Sequence, residues 1–235
     1  MAKTKRSTAK ALSTRRARKI LRRRRQTGLL GFLYNNGLSI AFMGLFLVCL
    51  IAQSWVGLWF YNDQQKVIGA VQLNYWDYVL TGEFLDAVLV NWQAAFLQLF
   101  SLIVLSGFLL QRGATQSRKL GSSRLQHMRY SLRAWLSHHS MSLVFLALFI
   151  GTFIMHLLAG TAAHNEQIGI SREAQLNCWQ FLQTAEFWFL TFSVWQAAYF
   201  AIGVYLILSI FTREDNSPEA KPYQASNDVT GEVND

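Results

Sequence analysis

Cysteine and proline are nearly missing from this chain of 235 residues. The two cysteines, Cys49 in an apolar run and Cys178 in a connection, exclude a disulfide framework and present no metal or redox spacing. Both prolines, Pro218 and Pro222, lie near the carboxy terminus, so no proline breaks the chain before them. Charged residues make up only 15% of the total and are absent from Leu38 to Phe60. Acids and aromatics are absent from residues 1–28, which therefore have little to bury and are expected to be disordered. No nucleophile stands in a recognisable motif beside a paired base, so no catalytic residue is assigned and an enzyme is not expected. Histidines paired to hold a haem are missing, and His164 with Glu166 offers only two ligands to a metal, so neither cofactor nor metal is expected.

Apolar residues are what the chain has in quantity: 52% are hydrophobic and the mean hydropathy is positive, which points away from a soluble domain. The charge-free run Leu38 to Phe60, at about 1.5 Å per residue, is long enough to cross a bilayer core of about 30 Å. Ala87 to Leu110, Met141 to Ala163 and Thr184 to Phe211 are further runs of this kind, so four transmembrane helices are expected. Trp55, Trp59, Phe60 and Tyr61 gather at the end of the first, as an interfacial aromatic belt does. A short interfacial helix within Tyr75 to Val90 is expected to lead into the second.

The chain also repeats itself. Shifted by 103 positions, Gly37 to Phe108 falls on Ser140 to Phe211 without a gap. Gln72, Leu73, Asn74 and Trp76 meet Gln175, Leu176, Asn177 and Trp179, and Trp92-Gln93-Ala94-Ala95 meets Trp195-Gln196-Ala197-Ala198. Polar matches such as Asn62 with Asn165, Gln64 with Gln167 and Glu83 with Glu186 are improbable by apolar composition alone, so we read a duplicated two-helix unit. The expected organisation is a basic disordered tail (1–28), a first repeat (29–112), a basic linker (113–139) with an amphipathic helix within Leu125 to Leu136, a second repeat (140–211) and a polar disordered tail (212–235). The fold class is an all-α membrane protein built from two tandem helical hairpins of parallel topology.

The formal net charge of +9 is unevenly placed. Of the 22 basic residues, all but Lys66 and Arg172 lie in the two tails or in the linker with Arg112 at its edge. By the positive-inside rule both termini and the linker are cytoplasmic, with residues 61–86 and 164–186 outside. Three readings compete for the basic leader: a topology signal adhering to anionic lipid headgroups, at about 1 kcal/mol per basic residue; a nucleic-acid arm, which lacks the aromatics or folded reader that would make it specific; and a transit peptide. The first is preferred.

Three polar groups recur in both copies. Asn62, Asp63 and Gln64 with Asn165, Glu166 and Gln167 could form a binding cluster for a cation or polar solute, or could merely end their helices and cap the turns that follow. Glu83 and Glu186 suit the first turn of a helix capped by Thr81 or Thr184. Gln93 and Gln196 stand beside Ala94, Ala95, Ala197 and Ala198, a pattern for close helix packing with a hydrogen bond across the bundle. His156 is the one histidine deep in a span, and its repeat mate is Gln53. Gln53, His156, Gln93 and Gln196 are thus the candidate intramembrane lining.

Asn36-Gly37-Leu38-Ser39 opening a span, Tyr61-Asn62-Asp63-Gln64 closing it, Asn91-Trp92-Gln93 leading to Phe96-Leu97-Gln98, and Gln111-Arg112-Gly113 ending the unit together resemble a family of uncharacterised bacterial integral membrane proteins, over about residues 30–213. That family is classed as a domain of unknown function and is similarly built from two tandem two-helix units, so the resemblance implies a fold and an inner-membrane location but no activity. The second copy departs from the pattern at His164 and Val194 and lacks the Gln-Arg-Gly ending. The expected function is a non-enzymatic scaffold or accessory subunit that binds a membrane or periplasmic partner. The alternative is a small transporter or channel for an ion or polar solute, which would act as a homo-oligomer because four spans leave little room for a pore.

Overall fold

The structure, a computed structural model, describes residues 28–118, 131–171, 174–215 and 217–231. The basic leader as far as residue 27, most of the expected linker helix and residues 232–235 lie outside the described residues. Described secondary structure is helical: α1 (Gly28–Asn35), α2 (Gly37–Val67), α3 (Tyr75–Tyr78), α4 (Gly82–Phe108), α5 (Leu132–His138), α6 (Ser140–Ser171), α7 (Cys178–Phe181) and α8 (Ala185–Phe211). Four of these, α2, α4, α6 and α8, are long and apolar enough to cross a membrane. The chain divides into two compact units, Met1–Tyr75 and Trp76–Asp235.

In the first unit α2 runs on to Val67, past the expected end at Phe60. Three of the polar residues that continue the helix, Asn62, Asp63 and Lys66, find partners. Lys66, in the last turn, bonds Asp63 at 2.8 Å, and the Asn62 amide donates to the Leu73 carbonyl at 2.9 Å while accepting from the Leu73 N–H at 2.8 Å. Gly69, at φ 69°, ends the helix in the left-handed conformation that favours glycine. The chain then folds back along α2: Tyr75 stacks on Trp55 with ring centroids 4.8 Å apart and shares a 2.9 Å hydrogen bond with Ser54.

The second unit repeats this clamp. Asn165 donates to the Leu176 carbonyl and accepts from the Leu176 N–H, both at 2.8 Å, and α6 likewise extends beyond its expected end at Ala163. Asn62→Ala would leave both polar groups of Leu73 without their partner, at a cost of about 1–3 kcal/mol. Limited proteolysis is expected to cut the connection at residues 69–75 faster in this variant, and Asn165→Ala should have the same effect before Cys178.

The expected interfacial helix before α4 is a single turn, α3, and α4 starts at Gly82 rather than Ala87. Thr81 provides the reason, because its hydroxyl accepts from the Phe84 N–H and begins a new helix. Thr184 does the same for Phe187 at the start of α8. Asp86 therefore lies inside a spanning helix and not in a connection.

Helices α4, α6 and α8 form the core of the second unit. Gly82 lies against Ala159 and Ala163 while Phe96 faces Phe145, so α4 and α6 are antiparallel. Phe149 meets Trp195 and His156 meets Phe187, so α8 is antiparallel to α6 as well. A 2.9 Å hydrogen bond between Ser101 and Tyr199 ties α4 to α8. The closest approach joins α4 to α6, helices that the repeat reading assigns to different copies. A Cβ on Gly82 would stand 2.8 Å from the Ala159 carbonyl oxygen and nearer still to the Ala163 nitrogen.

Residues 212–215 and 217–231, expected to be disordered, carry hydrogen-bonded turns instead. The Arg213 guanidinium bonds the Ala225 carbonyl and the Asn227 side chain. The Thr230 hydroxyl accepts from the Gly113 N–H at 2.8 Å, and the Gly231 N–H donates to the Ala114 carbonyl. Lys221 is buried and donates to the Asn227 carbonyl; burial, followed by the nearby Arg213 charge, lowers its pKa. The polarity that predicted disorder supplies the donors and acceptors that hold this segment to residues 113–114.

Candidate functional site

One end of the core bundle gathers six ionisable side chains from α4, α6 and α8. Because α4 and α8 run opposite to α6, their first turns gather beside residues 156–166 of α6. Glu83 and Asp86 come from α4, His156, His164 and Glu166 from α6, and Glu186 from α8.

At its centre three helices meet through one imidazole. Asp86 Oδ1 lies 2.6 Å from His156 Nδ1, and His156 Nε2 lies 3.2 Å from Thr191 Oγ1. The Phe187 ring stacks on the imidazole at 4.9 Å with 20° between the planes. Glycine makes room for the carboxylate, since a Cβ on Gly160 would come within 2.8 Å of Asp86 Oδ1. The side chain of His156 is 1% exposed and that of Asp86 14%. The histidine is thus sealed, and the carboxylate forms its link to the exterior.

Hydrogen-bond logic allows this chain two protonation states. With neutral His156, Nδ1–H donates to Asp86 and Nε2 accepts from the Thr191 hydroxyl. With the imidazolium, both nitrogens donate, and Thr191 turns its oxygen towards the ring. Several other hydroxyls in these helices bond their own backbone: Thr152 and Thr161 on α6 and Ser193 on α8 donate to carbonyls one turn back. Thr191, wholly buried, is bonded to His156.

A second pair lies further out, where His164 Nδ1 is 2.7 Å from Glu186 Oε2 and the His164 ring packs on Phe181. Glu166 Oε1 stands 3.4 Å from the Gly82 N–H at the start of α4, within electrostatic range of Glu83. Among the described residues no three of His, Cys, Asp and Glu converge as a metal site requires.

The residues singled out from the sequence are distributed as follows. His156 and Gln93 both turn into the core, with Gln93 0% exposed. Gln196 is exposed on α8, and Gln53 is exposed in the first unit. Ala94 is buried, Ala198 half-buried, and Ala95 and Ala197 exposed; tight helix contact falls instead at Gly82, Ala159 and Ala163. Asn62 and Asn165 spend their amides on their own connections, Asp63 pairs with Lys66, Gln64 and Gln167 are exposed, and Glu166 reaches Gly82.

Sequence reasoning passed over Asp86 and Thr191. Matching the two copies could not find them, because their mates are Phe189 and Val88. One available signal was an acid next to one apolar run and a histidine inside another, since charged groups in spans pair with each other. The family model described as "Domain of unknown function (DUF6766)" matches residues 29–232. No curated protein and no solved structure matches the chain.

Proposed function

From the family to which the chain belongs, a domain of unknown function, no activity can be inherited, and we propose one from the site: a small membrane transporter or channel whose working element is proton uptake by the Asp86–His156–Thr191 chain. The observation that carries this reading is a sealed histidine bonded on both nitrogens, with a partly exposed carboxylate as its link outward. A proton captured by Asp86 passes to His156 from the other neutral tautomer, in which Nε2–H donates to the Thr191 oxygen and Nδ1 accepts from the protonated carboxyl; the resulting imidazolium is held between the Asp86 carboxylate and the Thr191 oxygen. Glu83 on α4, His164 and Glu166 on α6, and Glu186 on α8 are the titratable groups around the entrance and set its local field.

The bacterial inner membrane, cytoplasmic termini and an outward-facing Asp86 belong to the same proposal, supported by the placement of the basic residues. The matching amide clamps of Asn62 on Leu73 and Asn165 on Leu176 support a duplicated unit. The accessory-subunit reading is favoured by a different observation: in α2 only Ser54 and Leu58 are buried, so an apolar helix offers its length to lipid or to a partner.

The test is proton flux into liposomes carrying the purified protein and a pH-sensitive dye. Asp86→Asn keeps the shape of the side chain and removes its charge, and a fall in flux of about tenfold or more is expected. Equal flux in parent and variant overturns the relay. A heterologous partner co-purifying at fixed stoichiometry, with no flux in the parent protein, transfers support to the accessory reading.

A further inference from the structure

Gln93 is wholly buried, and neither its amide nitrogen nor its carbonyl oxygen has a hydrogen-bond partner among the described residues. The indole nitrogen of Trp195 is buried in the same condition. The other buried side-chain atom without a partner among the described residues, Gln116 Oε1, lies outside these helices, and Thr152, Thr161 and Thr191 in the bundle are all bonded, so two orphaned groups in one bundle require an explanation.

Both groups belong to the faces that meet at His156. Gln93 lies seven residues, two helical turns, after Asp86, and Trp195 lies one turn after Thr191; each pair shares a helix face. Helix register brings them to one level. The α4 and α6 pairings, Asp86 with His156 and Phe96 with Phe145, place Gln93 opposite Phe149, and Phe149 contacts Trp195. The α6 and α8 pairings, Phe149 with Trp195 and His156 with Phe187, place Thr191 about one turn nearer to the His156 level than Gln93 and Trp195.

We propose that the layer bounded by Gln93, Thr191 and Trp195 is a buried hydration site, holding ordered water that continues the Asp86–His156–Thr191 chain deeper into the bundle. Water suits the chemistry. The layer presents two kinds of donor, the carboxamide N–H and the indole N–H, and one carbonyl acceptor, which matches a molecule that accepts and donates. Buried waters make about three such bonds to groups otherwise unsatisfied. A metal cation would face two N–H donors and a single oxygen, and no charged side chain of α4, α6 or α8 lies at this level to balance it. As a continuation of the relay the site rests on the proton reading above; as a hydration site it stands on the geometry of Gln93 and Trp195.

The experiment is infrared difference spectroscopy of the purified protein in ordinary and oxygen-18 water, run beside the liposome flux assay. The parent protein is expected to show an isotope-sensitive O–H stretching band of ordered water. Gln93→Leu should lose that band and lose flux about tenfold. Gln93→Met and Trp195→Phe provide independent variants of similar shape, each expected to weaken or shift the band. A band unchanged in all three variants, or a parent without one, overturns the hydration site. A band lost in Gln93→Leu while the parent conducts no protons upholds the site and removes the relay.

Discussion

Gly82→Leu is expected to pull α4 away from α6 and to cost about 3 kcal/mol or more, at the upper end for overpacking because the obstacle is main chain. A Cβ at this position meets the Ala159 carbonyl oxygen at 2.8 Å and the Ala163 nitrogen nearer still, and neither backbone atom can rotate aside. The displacement reaches Asp86 one turn along, so the bond to His156 should be lost with the packing. Gly107→Leu, in the same helix but with nothing within 4 Å of its Cβ, is the control and should stay within about 0.5 kcal/mol of the parent. Thermal unfolding in mild detergent, followed by tryptophan fluorescence, separates the two. Equal melting temperatures for both variants would mean that α4 and α6 do not cross at Gly82.

The second large effect concerns the Asp86–His156 pair. Asp86→Ala leaves a buried histidine without its carboxylate, and His156→Ala strands the carboxylate; either single change should destabilise by about 3–5 kcal/mol. Asp86→Leu with His156→Leu removes both polar groups at once and is expected to recover most of that loss, because an apolar pair of suitable volume needs no compensating bonds. The double-mutant cycle measures the coupling, and flux measured on the same proteins tells clasp from relay. A stable double variant that conducts as the parent does would reduce the pair to a structural tie between helices. A stable double variant without flux assigns it a role that packing does not fulfil.

The repeat was a partial guide to the site, for a physical reason visible in one tetrapeptide. Trp92-Gln93-Ala94-Ala95 and Trp195-Gln196-Ala197-Ala198 are identical in composition and order, yet Gln93 and Ala94 are buried while Gln196 and Ala197 are exposed. Burial depends on the helices that stand opposite, and α4 is enclosed between α6 and α8 to a degree that α8 is not. Polar residues that match at the 103-position shift identified local devices, as at Thr81 and Thr184, where each hydroxyl accepts from the N–H three residues on. They could not identify Asp86, whose partner lies 70 residues further along the chain.

What the amino-acid sequence determined by itself is whatever a single segment can specify. An apolar run long enough to span a bilayer is helical because its backbone groups must bond within the segment, and a threonine before it starts that helix wherever the helix later packs. Four spans and membership of the class of multi-pass membrane proteins follow from that alone. Tertiary structure decided which helices meet, that Gly82 and Gly160 open the space between α4 and α6, and that Asp86, His156 and Thr191 become neighbours. Those choices depend on shape fit among side chains from distant segments, and no local pattern records the side chain that a residue will face across the bundle.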